Sequence, residues 1–287
     1  MRLGIAILAA GSLLAAPAIA STPLDGANLH AKFGGTGLVL QTTGTGFGNN
    51  YSELDQLWAT NDAGGLHVGI SGNMENNGNT VVVLFDTVAG GSSVLNAPGS
   101  PIANRNGNIT FDDDFMPDYG VVFNNYQGTM YCNEANFAAG TSGYIGNAPV
   151  GGGPGGSDPM VQFALNNTNT AGVNGTFDPA GDANTADTGL EMIIDNARLG
   201  LPAGGGCVKM LAYLAGTDCN YMSNQFLVPI PANLADGGGN YGNLPIDLRT
   251  FGNARKHYVA VNCVPEPGSL GFLAAGLLPL LGLRRRK

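Results

Sequence analysis

The stretch Thr80-Val-Val-Val-Leu-Phe-Asp86 narrows what this chain can fold into more than any other. Its central residues are all apolar and rich in β-branched side chains, which suits an extended chain better than a helix. Consecutive strand residues point to opposite faces, so this strand is predicted to be buried on both faces or central in its sheet. Just upstream, Leu66-His-Val-Gly-Ile-Ser71 alternates, the pattern of a half-buried strand. The two read as a hairpin. The loop between them, Gly72 to Asn79, is made of residues that tolerate left-handed backbone.

Further strands are predicted at Leu38 to Thr43, Tyr119 to Asn124, Gln127 to Cys132, Met160 to Leu165 and Thr188 to Asp195. Cys207 to Leu214, Gln225 to Ile230 and His257 to Cys263 complete the set, and Pro117 marks where the Tyr119 strand joins its sheet. Tyr51 to Thr60, which carries the only tryptophan, Trp58, reads as a strand or a short helical turn. Asp195 to Leu199 suggests one helical turn stopped by Gly200. The Gly/Ser/Pro/Asn-rich residues after Asp86 form a long loop, and Asn147 to Asp158 reads as a flexible linker or disordered loop within one domain. With 46 glycines in 287 residues and few Lys or Glu, helix is disfavoured. The fold class is all-β: an antiparallel β-sandwich or jelly roll with long Gly/Asn-rich loops.

Both ends differ from this body, which spans residues 21–263. Met1-Arg2, an apolar region from Leu3 to Ala16, and Ala18-Ile19-Ala20 before Ser21 read as a secretory signal peptide, residues 1–20, with an Ala-x-Ala cleavage site. Residues 264–287 hold Pro265-Glu266-Pro267, an apolar run from Leu270 to Leu283, and Arg284-Arg285-Arg286-Lys287. That run of about 14 residues falls short of the roughly 18–20 that span a bilayer comfortably. The basic end is expected to stay in the cytoplasm. Such a segment suits transient membrane insertion, with the rigid triplet as a place to cut. Between the two ends, Ser21 to Pro267 carries all 21 acidic residues against seven basic ones, a net charge of −14. This surface repels nucleic acid and anionic lipid and attracts cations.

The C-terminal triplet, apolar run and Arg cluster, in that order, resemble the PEP-CTERM sorting signal of exported Gram-negative proteins. The resemblance implies recognition by an exosortase, a membrane-embedded cysteine protease-transpeptidase, with processing near Pro265-Glu266-Pro267. It also implies delivery to the cell envelope or to an extracellular exopolysaccharide matrix, where biofilm proteins reside. The body is more distantly similar to DOMON-like and family-nine carbohydrate-binding sandwiches, through Leu24-Asp25-Gly26, the Leu66–Ser71 and Thr80–Asp86 strands, and Gly189 to Ile194 followed by the turn to Leu199. It departs from the carbohydrate-binding pattern in having Trp58 as its only tryptophan, so no paired aromatic clamp is evident, and Asp195 where such modules often have proline.

Four cysteines in an exported chain read as two disulfides. Cys207 with Cys219, around the apparent turn at Ala215 to Asp218, and Cys132 with Cys263 are the preferred pairs; zinc is the rival, without a Cys-x-x-Cys to support it. Two acidic groups are candidate Ca²⁺ ligands: Asp112, Asp114 and Asp118 (with Asp113 between them), and Asp178, Asp182 and Asp187 with Asn184 and Glu191. Neither matches EF-hand spacing. A solvated acidic loop is the competing reading for both. His67, on its alternating strand, reads as a surface or packed histidine, and neither a nucleophile elbow nor a His-Glu-x-x-His motif occurs. Trp58 and Tyr51, Tyr126, Tyr131, Tyr144, Tyr221 and Tyr241 are the available stacking platforms, with core packing as the alternative. The sequence thus points to an exported, non-enzymatic structural or adhesive protein of the surface or matrix. A carbohydrate-binding module for the exopolysaccharide is second, and a secreted glycosidase third.

Overall fold

The computed structural model describes residues 23–47, 52–102, 109–170, 183–231, 239–251 and 256–263. The processing residues Ala18, Ala20, Ser21, Pro265, Glu266, Pro267, Arg284, Arg285 and Arg286 lie outside them, as do Tyr51, Asp178 and Asp182. The strands, in chain order, are β1 (Val39–Leu40), β2 (Glu53–Asp62), β3 (Gly65–Asn73), β4 (Asn77–Asp86), β5 (Ile109–Thr110), β6 (Tyr119–Tyr126) and β7 (Thr129–Asn136). They continue as β8 (Thr141–Pro149), β9 (Val161–Leu165), β10 (Gly189–Ile194), β11 (Val208–Ala215), β12 (Met222–Leu227), β13 (Ile246–Asp247) and β14 (Val259–Val261). One short helix, α1 (Leu29–Phe33), precedes β1. The smaller antiparallel sheet runs β1-β2-β3-β10-β9; the larger runs β12-β11-β4-β6-β7-β8, with β14 also on β11. β5 and β13 form a separate parallel pair.

The two antiparallel sheets pack face to face, as in a sandwich. Leu57, Leu66, Val68, Ile70 and Phe163 of one meet Val81, Val83, Phe85, Val121 and Phe123 of the other in a single buried cluster. Phe123 and Phe163 meet edge to face across it, centroids 5.4 Å apart. A second cluster covers the opposite face of the larger sheet. There Val82, Leu84, Val122, Leu211 and Tyr213 lie under Leu95, Ile102, Phe111, Phe115, Ile246 and Leu248 from the long connections. The unbroken apolar run of β4 is explained: alternate side chains enter two different cores, each fully buried Val, Leu or Phe contributing about 1.5–3 kcal/mol. The loop after Asp86 is therefore part of the packing.

The predicted hairpin between β3 and β4 is not formed. β3 pairs with β2 and β10, whereas β4 pairs with β6 and β11, so Met74-Glu75-Asn76 carries the chain from one sheet to the other. Alternation specifies which face of a strand is buried and says nothing of its neighbour, and both strands are interior to their sheets. The tight hairpins lie elsewhere. β2 turns into β3 through Ala63-Gly64, where Asp62 Oδ1 accepts from Gly64 N at 2.7 Å. β6 turns into β7 through Gln127 and Gly128, both at positive φ (50° and 74°), a backbone whose twist matches the flanking strands.

Two other segments are sharper than expected. Tyr51 to Thr60 resolves as strand from Glu53 onward, with Trp58 buried in it. The Asn147–Asp158 stretch is not a free linker: Asn147 to Pro149 finish β8, and Gly151 N and Gly155 N donate to Leu165 O (2.7 Å) and Phe163 O (2.8 Å). Strands on either side of it interleave, β10 beside β3 and β11 beside β4.

The disulfide pairing is corrected. Cys207 bonds to Cys263, and Cys132 and Cys219 are buried thiols. Cys207 immediately precedes β11 and Cys263 follows β14; these strands pair with Val208 opposite Val261, which brings the two Cα atoms within 4.4 Å. Cys219 lies beyond the opposite end of the eight-residue β11, roughly 25 Å along the strand from Cys207. Cys132 points into the core between the sheets.

Candidate functional site

The carboxylates of the first predicted acidic group are dispersed among separate partners, and Asp178 and Asp182 of the second lie outside the described residues. Asp112 accepts from His257 N (2.5 Å) and faces His257 Nδ1 (3.2 Å). Asp114 pairs with Lys256 and accepts from Tyr258 Oη at 2.6 Å; burial works to raise its pKa, but these hydrogen bonds outweigh it and hold the carboxyl below its usual range. Asp118 accepts from Thr87 N, Val88 N and Thr87 Oγ1 at 2.6–2.9 Å, closing the end of β4; burial nevertheless leaves its pKa raised. Asp113 reaches Arg249. Each carboxylate thus faces its own donors, so they do not converge on one ion, and among the described residues no group of three or more His, Cys, Asp or Glu is arranged to hold a metal.

Asp187 and Glu191 also go separate ways, both holding the N-terminal segment against the outer face of the smaller sheet. Asp187 accepts from His30 N and pairs with His30 Nδ1, both at 2.7 Å. Glu191 is buried on β10 and accepts from Gly26 N (2.9 Å), Asp25 N (3.0 Å) and Lys32 Nζ (2.7 Å), with His67 Nε2 at 2.9 Å. Burial alone would raise its pKa; the bonds from His67, Lys32 and Gly26 outweigh that and lower it. His67 is packed, its ring 4.5 Å from that of Phe33. Phe33 fits because β3 has Gly69 beneath it, where a Cβ would sit 2.6 Å from the phenyl ring. Trp58 donates to Gly35 O and is only 2% exposed, which removes it as a sugar platform.

What the fold does assemble is a cleft of about 590 Å³ at the end of the larger sheet. Four separate segments build it: Gly46 and Phe47 after β1, Glu75 to Asn79 at the crossover into β4, Gly216 to Tyr221 between β11 and β12, and Asn240. Phe47 and Tyr221 form its aromatic side, with centroids 5.9 Å apart and planes inclined by 32°. Tyr221 is 43% exposed. The remaining wall is amide and carboxylate. Asn77 Nδ2 donates to Glu75 Oε2 (2.7 Å), Asn79 Nδ2 to Ser52 Oγ (3.0 Å), and Asn240 Nδ2 to Gly46 O (3.1 Å). Asn240 Oδ1 is buried with no hydrogen-bond partner among the described residues, so an acceptor remains open there. Asp218 stands exposed, its Oδ1 accepting from Asn220 N at 3.0 Å.

Of this wall, Tyr221 alone stands among the stacking platforms expected from the sequence. The Asn-rich loop at residues 72–79 was legible as a turn, but its proximity to Phe47 and Tyr221 follows from the crossover between sheets. Tyr126 and Tyr144 are exposed but do not line the cleft, and Tyr241 is buried. Comparison with protein-family models, with curated proteins and with solved structures finds no match to this chain.

Proposed function

We propose that this protein is exported, sorted by an exosortase to the surface or exopolysaccharide matrix of a Gram-negative bacterium, and adheres there by binding polysaccharide in the Phe47–Tyr221 cleft. The observation that carries the binding reading is the pairing of an exposed aromatic face with neutral amides around an open groove. Sugar rings present C–H faces that stack on aromatics and hydroxyls that hydrogen-bond to amides and carboxylates. Glu75 and Asp218 on the wall, on a span from Ser21 to Pro267 of net charge −14, disfavour polyanionic chains and favour neutral or amino sugars. Tyr221→Ala and Phe47→Ala are each expected to lower affinity for the recognised glycan about tenfold, roughly 1.4 kcal/mol, without altering the melting temperature by more than a few degrees. A glycan array followed by titration calorimetry measures this; unchanged affinity in both variants would remove the cleft as the binding site.

The sorting half of the proposal rests on the composite signal at residues 264–287. Replacing Pro265-Glu266-Pro267 with alanines is expected to leave an uncleaved, membrane-held precursor. Intact mass of wild type and variant decides it, and equal processing of both would discard the exosortase.

One observation favours a glycosidase as the second reading: two carboxylates, Glu75 and Asp218, share the cleft. Asp218 is exposed, whereas the general acid of such enzymes works from a desolvated pocket. Release of reducing ends from the bound glycan, lost in Glu75→Gln, would replace binding with hydrolysis.

A further inference from the structure

Glu53 and Asp55 are both 0% exposed on β2, and none of their four carboxylate oxygens has a hydrogen-bond partner among the described residues. A buried ionised carboxylate without a partner is strongly unfavourable, and two neighbours on one strand compound the cost. Among the described residues, no protein cation relieves them. The basic side chains that the structure describes are all engaged elsewhere: Lys32 with Glu191, Arg198 with Asp158, Lys209 with Asp86, Arg249 with Asp247 and Lys256 with Asp114. Left alone, burial pushes Glu53 up to about 7, and burial reinforced by the charge of Glu53 pushes Asp55 up to about 9.

The backbone is irregular at this point. Register with β3 shifts between Leu54 and Gln56, so Asp55 is the extra residue of a β-bulge, a device that re-aims side chains. Oxygen-bearing groups of β12 and of the loop after β1 pair with the backbone of the same short segment. Gln225 Oε1, from β12 of the other sheet, accepts from Leu54 N (3.3 Å), the peptide between the two carboxylates. The loop after β1 runs alongside: Gln41 N donates to Asp55 O (2.7 Å), and Thr45 Oγ1 donates to Ser52 O (2.6 Å). Gln225 Nε2 and Asn224 Nδ2 in turn hold the carbonyls of Thr43 (2.7 Å) and Gly44 (2.8 Å). Those carbonyl and amide oxygens each keep a second lone pair. The donors are all oxygen, two of them carboxylates, with no Cys or His in the set. That excludes a preference for zinc, and the mixture of carboxylate, amide and carbonyl suits a large, hard ion of flexible coordination better than octahedral Mg²⁺.

We propose that Glu53 and Asp55 are the anionic ligands of a Ca²⁺ ion that fastens β2 to the 41–47 loop and to β12. The inference does not rest on the glycan reading, although the fastened loop carries Phe47 and so forms one wall of the cleft.

The test uses the full chain, stripped with EDTA and titrated with CaCl₂, with MgCl₂, and with NaCl at matched ionic strength. One Ca²⁺ is expected to bind per chain, with a dissociation constant at or below about 1 mM. At ten times that constant the melting temperature rises by roughly 3–6 °C, which NaCl does not reproduce. Glu53→Gln or Asp55→Asn weakens Ca²⁺ binding at least tenfold. The double variant loses the response and, in EDTA at pH 7 or above, melts above the wild type, because neutral amides escape the cost of burying groups that ionise in the unfolded chain. Asp113→Asn, remote from this segment, binds as the wild type does. Should the double variant not fold, Glu53→Gln is judged by the same affinity criterion. A Ca²⁺ response no larger than that of NaCl, an equal response to Mg²⁺, or wild-type affinity in Glu53→Gln and Asp55→Asn would overturn the assignment.

Discussion

Glu191→Ala is expected to lower the melting temperature by roughly 10 °C at pH 7. The Lys32 and Glu191 side chains are 4% and 1% exposed, so truncation leaves a buried ammonium facing only Asp25 and the carbonyl of Pro23. Removing one partner of a buried pair typically costs about 3–5 kcal/mol, and each kcal/mol lowers the melting temperature of a domain this size by about 2–4 °C. The loss extends beyond one pair, since Glu191 also collects Asp25 N and Gly26 N and positions His67 beneath Phe33. Glu191→Gln keeps the shape and isolates the charge. The sign follows from the depressed pKa: the folded protein ionises Glu191 below the ordinary glutamate value of 4.5, so its contribution is fully present above about pH 4.5 and is lost as the pH falls through the lower folded value. The difference between wild type and Glu191→Gln should therefore be large at pH 7 and shrink below pH 4. Calorimetric melts at both values measure it, and a difference independent of pH would assign the loss to packing instead of charge.

Cutting the disulfide is expected to have an effect of similar size. Cys207 and Cys263 are 56 residues apart, and opening a loop of that length costs about 4 kcal/mol through the entropy of the unfolded chain. Cys207→Ser, or reduction without unfolding, should lower the melting temperature by roughly 10 °C and free the end of β14 from β11. Non-reducing peptide mapping is expected to recover Cys207 joined to Cys263. Cys132, whose thiol is pushed well up by burial and then by the charge of Glu134, should react with alkylating agents only on unfolding. A Cys207–Cys219 peptide would contradict the strand pairing itself.

The strands were legible because their periodicity is local. β4 announced its two-sided burial in five consecutive apolar residues, and β9, β10 and β11 appeared within a residue or two of their observed limits. Partners were not legible. β3 and β4 are adjacent in sequence and strongly patterned, yet they belong to different sheets, because nothing in a period of two names the neighbouring strand. The same limit explains the cysteines, whose pairing follows from β11 lying beside β14. It explains the acidic clusters as well: Asp112 and Asp114 read as loose cation ligands until His257, Lys256 and Tyr258 arrive from some 145 residues away. Conversely, Glu53 and Asp55 lie in a stretch that read only as strand or helical turn, and the fold alone reveals that they are buried without partners among the described residues. Phe47 and Tyr221 lie 174 positions apart and become a pair only when the 41–47 loop packs on β12.

The central claim is that an exported chain is held in the matrix by the cleft. Its most direct test is to fractionate cultures of the native host, expressing either the wild type or the Phe47→Ala/Tyr221→Ala variant, into cells, polysaccharide matrix and medium. The account predicts that both proteins are exported and processed to the same mass, with wild type retained in the matrix and the variant released to the medium. Equal retention of the two, at equal processing, would contradict it.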